Sequence, residues 1–192
     1  HKLSFGTRWN MRDIVRHKSR TAMSLVGIVG CMILIIGSLG MRDTMGSFLD
    51  TYYNGALHYN TRIYLAENAD LEKRNEIAEK YKGDSSAAVG VQIEEKTVSL
   101  DIYSLKNDMV RFPDENKGYA KISDDGAYIC MRLADEFELK PGDTFTLKPF
   151  GTDKKYSLKL KGIIRSTEEC VVITDKYAEK IGISYVPDTV YT

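Results

Sequence analysis

The stretch "TAMSLVGIVGCMILIIGSLGM", residues 21–41, contains no ionisable group except the thiol of Cys31. Elsewhere the chain is polar: 28% of its 192 residues are charged and its mean hydropathy is −0.31. An α-helix rises about 1.5 Å per residue, so this stretch spans roughly 30 Å, the thickness of the hydrocarbon core of a bilayer. It therefore predicts a transmembrane helix at residues 21–41.

A secretory signal peptide is the main alternative for this stretch. Signal peptides have a shorter apolar core and a cleavage site made of small residues. The sequence that follows the core, "GSLGMRDTMG" (residues 37–46), is a poor cleavage site. We therefore expect the helix to remain in the protein.

Residues 1–20 form a basic arm with six Lys or Arg side chains against one acid, Asp13. This excess of positive charge favours a cytoplasmic N-terminus, which places the rest of the chain outside the cell membrane. Arginines recur every four residues, a spacing that puts them on one side of a helix, and the only Trp lies among them. We predict an amphipathic helix on the membrane surface, with contacts from Arg8, Trp9, Arg12, Arg16 and Arg20.

Three glycines share one face of the predicted span: Gly27, Gly30 and Gly37. Small residues on a common face let a second transmembrane helix approach closely. We predict that they pack against such a helix; glycines that are merely tolerated are the alternative, because glycine is common in membrane helices.

Beyond the span, residues 42–57 continue the helical pattern and are called the stalk. Apolar side chains recur there at steps of three and four residues, and no proline occurs between Thr21 and Leu57. The pattern predicts one helix continuous with the span. Its apolar stripe needs cover from a partner helix or a second copy, and consists of Met45, Phe48, Leu49, Tyr52 and Tyr53.

Residues 58–192 mix strand and helix patterns without regular alternation, which predicts an α+β domain. Strands are expected at residues 61–66, 87–93 and 96–105. A helix is expected at residues 70–82, capped by Asn68 and ended by Gly83. We expect its buried face to consist of Leu71, Ala78 and Tyr81.

The second half of this domain begins with a helix after Ser123, whose expected core face is Cys130, Leu133, Ala134 and Phe137. Pro141-Gly142 predicts a tight turn, followed by a hairpin of a strand from Thr144 and a strand at residues 155–164. A buried strand is expected at residues 170–174. Thr174 then caps a helix that Gly182 ends, and a last strand begins at Thr189. We expect the domain to be incomplete at Thr192 and the chain, which begins at His1, to be a piece of a longer protein.

No catalytic, cofactor-binding or metal-binding motif occurs in the sequence. There is no glycine-rich phosphate loop, and none of the three histidines has a Cys or carboxylate at metal-ligand spacing. Asp124-Asp125-Gly126 is interpreted as the start of a helix rather than as a calcium loop, because further oxygen ligands are missing. The three cysteines give no disulfide framework; we expect free thiols and leave a Cys130–Cys170 pair open. We predict that the chain is not an enzyme.

Two stretches resemble the FtsX/MacB-like permeases of ABC transporters. The first is "RWNMRDIVRHKSRTAMSLVGIVGCMILIIGSLGMRDTM" (residues 8–45), and its matching residues are Asn10, Arg12, Arg16, Lys18, Arg20 and Thr21. The second covers residues 122–164 and is similar to the core of that family's extracytoplasmic domain. It matches through Leu133, Ala134, Leu139, Gly142, Asp143, Gly162 and Ile163.

The resemblance implies a non-catalytic membrane subunit that couples ATP hydrolysis by a separate cytoplasmic ATPase to motion of an extracytoplasmic domain. It implies no cofactor in this chain, and partners that include the lipid bilayer, the ATPase, and further permease helices beyond Thr192 or a second permease copy. Nucleic acid is not expected. The alternative is a single-pass extracellular sensor or ligand-binding module. Further apolar spans after Thr192 and an adjacent ATPase gene would favour the permease; a kinase or cyclase domain before His1 would favour the sensor.

Overall fold

A computed structural model describes residues 5–66, 68–116 and 118–192. The first four residues, including Lys2 of the predicted arm, lie outside the described residues. The chain divides into two compact units, of which the first ends at Leu49 and the second runs from Asp50 to Thr192.

The first unit consists of two helices, α1 (Phe5–Arg16) and α2 (Lys18–Leu49), with a turn at His17 between them. Neither helix has a buried residue. The described residues include one helix that is long and apolar enough to cross a membrane by length and composition, Lys18–Ala56. The hydroxyl of Thr21 donates a hydrogen bond to the carbonyl of His17 at 3.1 Å, so this polar group is satisfied within its own helix.

The second unit begins with a π-helical segment, Asp50–Ala56. The backbone N–H of Leu57 donates to the carbonyl of Tyr52 at 3.1 Å, which is the i→i−5 bond of a π turn. The chain is thus helical at every residue from Lys18 to Ala56, and the helix changes type at Asp50. Leu57 itself forms an isolated antiparallel bridge with Val110.

Six strands of the second unit close into a ring. Around the ring they are β2 (Asp84–Ile93), β3 (Lys96–Tyr103), β9 (Cys170–Thr174), β6 (Ala127–Cys130), β8 (Tyr156–Ile164) and β7 (Thr144–Pro149). The ring closes because β7 also pairs with the end of β2, where Val91 lies opposite Pro149. The pairs β3–β9 and β6–β8 are parallel, and the other pairs of the ring are antiparallel.

The other elements extend or cover this ring. Strands β10 (Thr189–Tyr191) and β1 (Arg62–Tyr64) continue the sheet beyond the first residues of β2. A small hairpin consists of β4 (Phe112–Pro113) and β5 (Tyr119–Ala120). The helices are α3 (Leu71–Tyr81), α4 (Met131–Glu136) and α5 (Asp175–Ile181). The second unit is therefore a mixed α+β domain that follows a long apolar helix, as the sequence predicts.

The core lies inside the ring. Strands β2, β3, β7 and β8 contribute mainly alternate residues to it, whereas β6 and β9 are buried along their whole length. Each large aliphatic side chain buried there contributes about 1.5–3 kcal/mol relative to exposure. The largest fully buried side chains are Val91, Leu100, Ile102, Ile129, Leu133, Leu147, Leu158, Leu160, Ile164, Val171, Val172 and Ile173.

The C-terminal part of the domain agrees with the sequence prediction. Strands β7 and β8 form the expected antiparallel hairpin, and all five residues of β9 are buried. The hydroxyl of Thr174 accepts a hydrogen bond from the backbone N–H of Tyr177 at 3.2 Å, so Thr174 caps α5. Gly182 ends this helix in the left-handed conformation, with φ of 77°.

The predicted helix after Ser123 begins later than expected. Residues 127–130 form β6, and α4 begins at Met131, so Cys130 is the N-cap rather than a member of a helical core face. The strand is inserted between β8 and β9 and all four of its residues are buried. Pairing on both sides overrides the helical spacing. Leu133 and Ala134 are buried as predicted, whereas Phe137 is half-buried.

The buried face and the caps predicted for α3 are wrong. Leu71 and Tyr81 are more than half exposed, and the side chain that α3 buries is that of Arg74. Asp70, not Asn68, is the N-cap, and Lys82 takes the left-handed conformation expected of Gly83. Gly83 is needed for a different reason: a Cβ there would lie 2.5 Å from Cγ1 of Val190, so only glycine lets β10 approach.

Candidate functional site

The residues predicted to contact the membrane surface are exposed. Arg8, Trp9, Arg12 and Arg16 lie on α1, and Arg20 lies on α2 after the turn at His17. Trp9 keeps 65% of its surface exposed. Their contact with a membrane stays a prediction.

The three glycines predicted to pack against a second helix have open surroundings. A Cβ built at Gly27, Gly30 or Gly37 would meet no heavy atom within 4 Å, apart from the backbone of their own helix. Packing of another helix on this face stays a prediction.

The predicted stalk residues are divided between the two units. Met45, Phe48 and Leu49 are exposed on α2, and Tyr53 is exposed on the π-helical segment. Tyr52 is half-buried within the second unit, where its hydroxyl accepts a hydrogen bond from the Thr167 hydroxyl at 3.5 Å. Whether a partner covers the exposed members stays a prediction.

The π-helical segment is bound to the domain by backbone hydrogen bonds. The N–H of Arg111 donates to the carbonyl of Ala56 at 2.7 Å, and the N–H of His58 donates to the carbonyl of Met109 at 2.8 Å. Ala56 is buried, with 2% of its surface exposed. Residues 56–58 are therefore held as an extra antiparallel pairing against residues 109–111.

A cavity of about 170 Å³ lies between this segment and the sheet, and is the candidate functional site. Tyr52, Ala56 and Leu57 line it on one side, and β1, β10, β2 and β3 line it on the other. Its lining includes three arginines and three carboxylates, namely Arg62, Arg111, Arg165, Asp101, Glu168 and Asp188.

Strand β3 supplies the centre of the cavity because its side chains alternate between two environments. Val98, Leu100 and Ile102 point into the core of the ring. The residues between and after them point to the other face and line the cavity: Ser99, Asp101 and Tyr103. Such a polar face is normally solvated, and it becomes a cavity here because residues 56–57 and 110–113 cover it.

Asp101 is the most perturbed carboxylate of the cavity. Burial raises its pKa to about 6, and the nearby Glu168 and Asp188 act in the same direction. The hydroxyl of Ser99 donates to Oδ1 of Asp101 at 2.5 Å and, together with Arg62, opposes the rise in pKa. Such an environment favours the neutral acid unless a cation approaches.

Aromatic rings line another side of the cavity, and one of them contacts Arg62. The Tyr191 ring lies 4.7 Å from that of Tyr59, and the Tyr103 ring lies 5.2 Å from that of Phe112. The guanidinium of Arg62 lies over Tyr191, 5.4 Å from its ring centroid, a cation–π arrangement that keeps the guanidinium at the cavity.

The lining of the cavity also includes a thiol, that of Cys170. Burial raises the pKa of Cys170, another lining residue, to about 12, so its thiolate is not accessible at neutral pH. Cys31, Cys130 and Cys170 are all free thiols. Within residues 5–66, 68–116 and 118–192, no group of three or more His, Cys, Asp and Glu side chains is placed to hold a metal ion.

Asp124 and Asp125 do not start a helix, contrary to the sequence prediction. They precede β6, and they form ion pairs with Lys176 at 3.7 Å and Lys161 at 2.6 Å. The Lys161 ammonium holds the pKa of Asp125 at about 2. Oδ1 of Asp124 is buried and has no hydrogen-bond partner among the described residues.

The cavity residues were missed by the sequence prediction because each has an ordinary local pattern. Ser99, Asp101 and Tyr103 look like the solvated face of a strand, and Arg62 and Tyr191 are distant from them in sequence. The alternation of β3 was the one local signal, since it separates these three residues from the core positions.

Comparison with known proteins gives likenesses in structure. No protein-family model and no curated protein sequence matches the chain. The extracellular domain of the ABC-type transporter YknZ from Gram-positive bacteria matches at 11% identity and a TM-score of 0.40, covering 68% of this chain and 81% of that one. The periplasmic region of MacB from Actinobacillus actinomycetemcomitans matches at 9% identity and a TM-score of 0.40, covering 66% of this chain and 65% of that one.

Proposed function

We propose that this chain is a non-catalytic permease segment of an ABC transporter or of an ABC-driven mechanotransmission complex. In this proposal a separate cytoplasmic ATPase binds and hydrolyses ATP, and the long helix passes the resulting motion to the extracytoplasmic domain. The observation that carries it is the helical run from Lys18 to Ala56, whose last residues are hydrogen-bonded to the outer domain.

In this proposal, motion of the stalk acts on the outer domain through the hydrogen bonds at the end of the stalk. A displacement of Ala56 acts directly on Arg111 through their 2.7 Å backbone hydrogen bond, and the bridge between Leu57 and Val110 adds a second attachment. Arg111 immediately precedes β4, so the first element to respond would be the β4–β5 hairpin.

The proposed orientation follows from charge. The basic side chains before the span favour a cytoplasmic arm, and residues from about Arg42 onward would then be extracytoplasmic. The exposed side chains of Met45, Phe48 and Leu49 would be covered by further permease helices or by a second copy of the chain.

The orientation is tested with single-cysteine variants in which Cys31, Cys130 and Cys170 have been replaced. We expect a membrane-impermeant maleimide to label Phe150→Cys in intact cells, because residue 150 is exposed on the outer domain. Arg8→Cys should be labelled only after the cells are opened. Labelling of position 8 but not of position 150 in intact cells would overturn the orientation.

The coupling is tested with Ser47→Pro, because proline in a helix interior removes a backbone hydrogen bond and costs about 3 kcal/mol or more. The assay uses the full permease assembled with its ATPase and an environment-sensitive fluorophore on Lys106→Cys, an exposed site close to the attachment at Met109. We expect ATP to change the fluorescence in the wild type and not in Ser47→Pro.

The matched control is Ser47→Ala, which changes the same position and keeps the helix. It should retain the ATP-dependent change. Membrane insertion and the thermal unfolding of the outer domain should be the same in all three proteins. A normal ATP-dependent signal in Ser47→Pro would refute transmission through the stalk.

A further inference from the structure

Arg62 and Asp101 line the same cavity and carry opposite charges, yet they do not pair with each other. No ion pair within 4.0 Å joins either side chain to an opposite charge in the described part of the chain. The two groups are nevertheless close enough for Arg62 to lower the pKa of Asp101. The space between the two side chains therefore has a cation, Arg62, on one side and an anion, Asp101, on the other.

Arg62 presents the geometry that recognises a carboxylate. Its guanidinium lies over the rings of Tyr64, at 4.7 Å, and Tyr191, at 5.4 Å. These two cation–π contacts restrain the position of the guanidinium beside the cavity. A planar fork of this kind binds carboxylates through two parallel hydrogen bonds.

Asp101 presents the geometry that recognises an ammonium group. Ser99 occupies its Oδ1 atom at 2.5 Å, whereas no described hydrogen bond involves its Oδ2 atom. Glu168 and Asp188 add to the negative potential around it, as their effect on its pKa shows. A cation that donates to Oδ2 would relieve both the repulsion and the cost of burial.

The volume of the cavity and the net charge of its lining further restrict the class of ligand. A cavity of about 170 Å³ is slightly larger than the roughly 150 Å³ cavity that holds benzene and smaller than the 300–1,000 Å³ of drug-sized sites. It therefore suits a molecule of roughly six to ten non-hydrogen atoms. The three arginines and three carboxylates of the lining balance, which suits a ligand with no net charge.

We propose that this cavity binds a small zwitterion of the free amino acid class, with its carboxylate on Arg62 and its ammonium group on Asp101. The rings of Tyr103 and Phe112 then face the ligand's side chain. This proposal concerns binding to the isolated chain and does not depend on the proposed coupling to an ATPase.

The test is binding to the full chain in detergent, measured by calorimetry and by the ligand-dependent rise of the unfolding temperature. L-alanine is the probe; ethylamine and propionate are the matched half-ligands, each lacking one of its two charges. We expect L-alanine to bind at least about tenfold more tightly than either half-ligand, since each half loses one ionic contact.

Variants separate this site from general charge effects. Asp101→Asn keeps the shape of the side chain, Arg62→Gln shortens it but keeps it polar, and each removes one charge. Each should weaken L-alanine binding at least about tenfold. Asp153→Asn and Arg132→Gln make the same changes at exposed positions outside the cavity and should leave the affinity unchanged. The unfolding temperature without ligand checks that each variant is folded.

A pH series on the wild-type protein adds a test that needs no variant. Affinity for L-alanine should fall as the pH is lowered through about 6, where Asp101 becomes neutral. The charged and titratable groups that face Asp101 are Tyr103 beside it on β3, Arg62 on β1, Cys170 on β9, Glu168 before β9 and Asp188 before β10.

Three results would overturn the proposal. One is the absence of saturable binding of glycine, L-alanine, L-serine and L-proline up to about 10 mM, ten times a millimolar dissociation constant. Another is equal binding of L-alanine and a half-ligand. The third is unchanged affinity in a folded Asp101→Asn or Arg62→Gln protein.

Discussion

Arg74 offers a sharp test of what holds α3 to the domain. Only 4% of its surface is exposed, and among the described residues its guanidinium donates to three backbone carbonyls. Nε bonds the carbonyl of Ala69 at 2.8 Å, and Nη2 bonds that of Ala66 at 2.6 Å. Nη1 bonds the carbonyl of Pro187, which joins α3 to the segment before β10. One side chain therefore connects two segments that are distant in sequence.

The magnitude follows from the number and kind of these bonds. A hydrogen bond from a charged donor contributes about 1.5–3 kcal/mol, so the three described bonds together contribute at most roughly 5–9 kcal/mol. Arg74→Met keeps most of the aliphatic stem and removes the donors. Water can reach part of the exposed loop around Ala66, so we expect a loss of about 3 kcal/mol, or a fall in Tm of about 10 °C for a domain of this size.

The assay is thermal unfolding of the full chain in detergent, followed by the near-ultraviolet circular dichroism of its tyrosines at one scan rate. Lys73→Met is the matched control, because it removes a positive charge from the exposed neighbouring position of the same helix. It should change stability by less than about 0.5 kcal/mol. Arg74→Lys should lose most of the stability that Arg74→Met loses, because an ammonium group cannot reach three carbonyls at once. Wild-type stability in Arg74→Met, or an equal loss in Lys73→Met, would refute this reasoning.

Three further predictions concern single contacts of the domain. Gly83→Ala should cost about 1–3 kcal/mol by overpacking, since its Cβ would lie 2.5 Å from Cγ1 of Val190; an unchanged Tm would contradict this. Thr174→Ala should be about 1 kcal/mol less stable than Thr174→Ser in urea denaturation, because both variants lose the buried methyl group and only serine keeps the cap of α5. The pKa of Asp101 is raised to about 6 from an ordinary value near 3.9, so the native state holds this proton more tightly than the unfolded state. Stability should therefore fall by about 3 kcal/mol as the pH rises from roughly 4 to roughly 6, and Asp101→Asn should lack this step.

Local patterns predicted the parts of the fold whose partners are near in sequence. The turn at Pro141-Gly142, the β7–β8 hairpin and the caps of α5 each depend on fewer than about twenty neighbouring residues, a range in which turn chemistry and periodicity act. The closure of the ring between β2 and β7, and the parallel pairing of β3 with β9, depend on contacts between distant residues. Nothing in the local sequence of β2 indicates that its end will meet Pro149.

The wrong predictions also concern residues whose structure depends on contacts with distant parts of the chain. Cys130 has helical spacing relative to Leu133, yet residues 127–130 form a strand because two neighbouring strands are available to pair with them. Arg74 was not among the residues expected on the buried face of α3, and arginine is seldom buried in proteins. It is buried because carbonyls from two other segments accept its hydrogen bonds, which the sequence of α3 alone does not reveal.

The proposed amino-acid cavity and the proposed mechanical coupling use the same residues at the end of the stalk. Thermodynamic linkage therefore makes the effect of ligand binding on the stalk and the effect of the stalk on ligand binding reciprocal. Tyr52, Ala56 and Leu57 line the cavity, and Ala56 and Leu57 also attach the stalk end to residues 110 and 111. If a bound zwitterion favours one position of these residues by a given factor, then moving them to that position must raise the affinity for the zwitterion by the same factor. Were both proposals to hold, the affinity for L-alanine would differ between the nucleotide-free and ATP-bound complexes, and that difference would measure the coupling free energy without knowledge of the transported substrate. Equal affinities in the two states would mean that the stalk end keeps its position against the sheet while the rest of the helix moves.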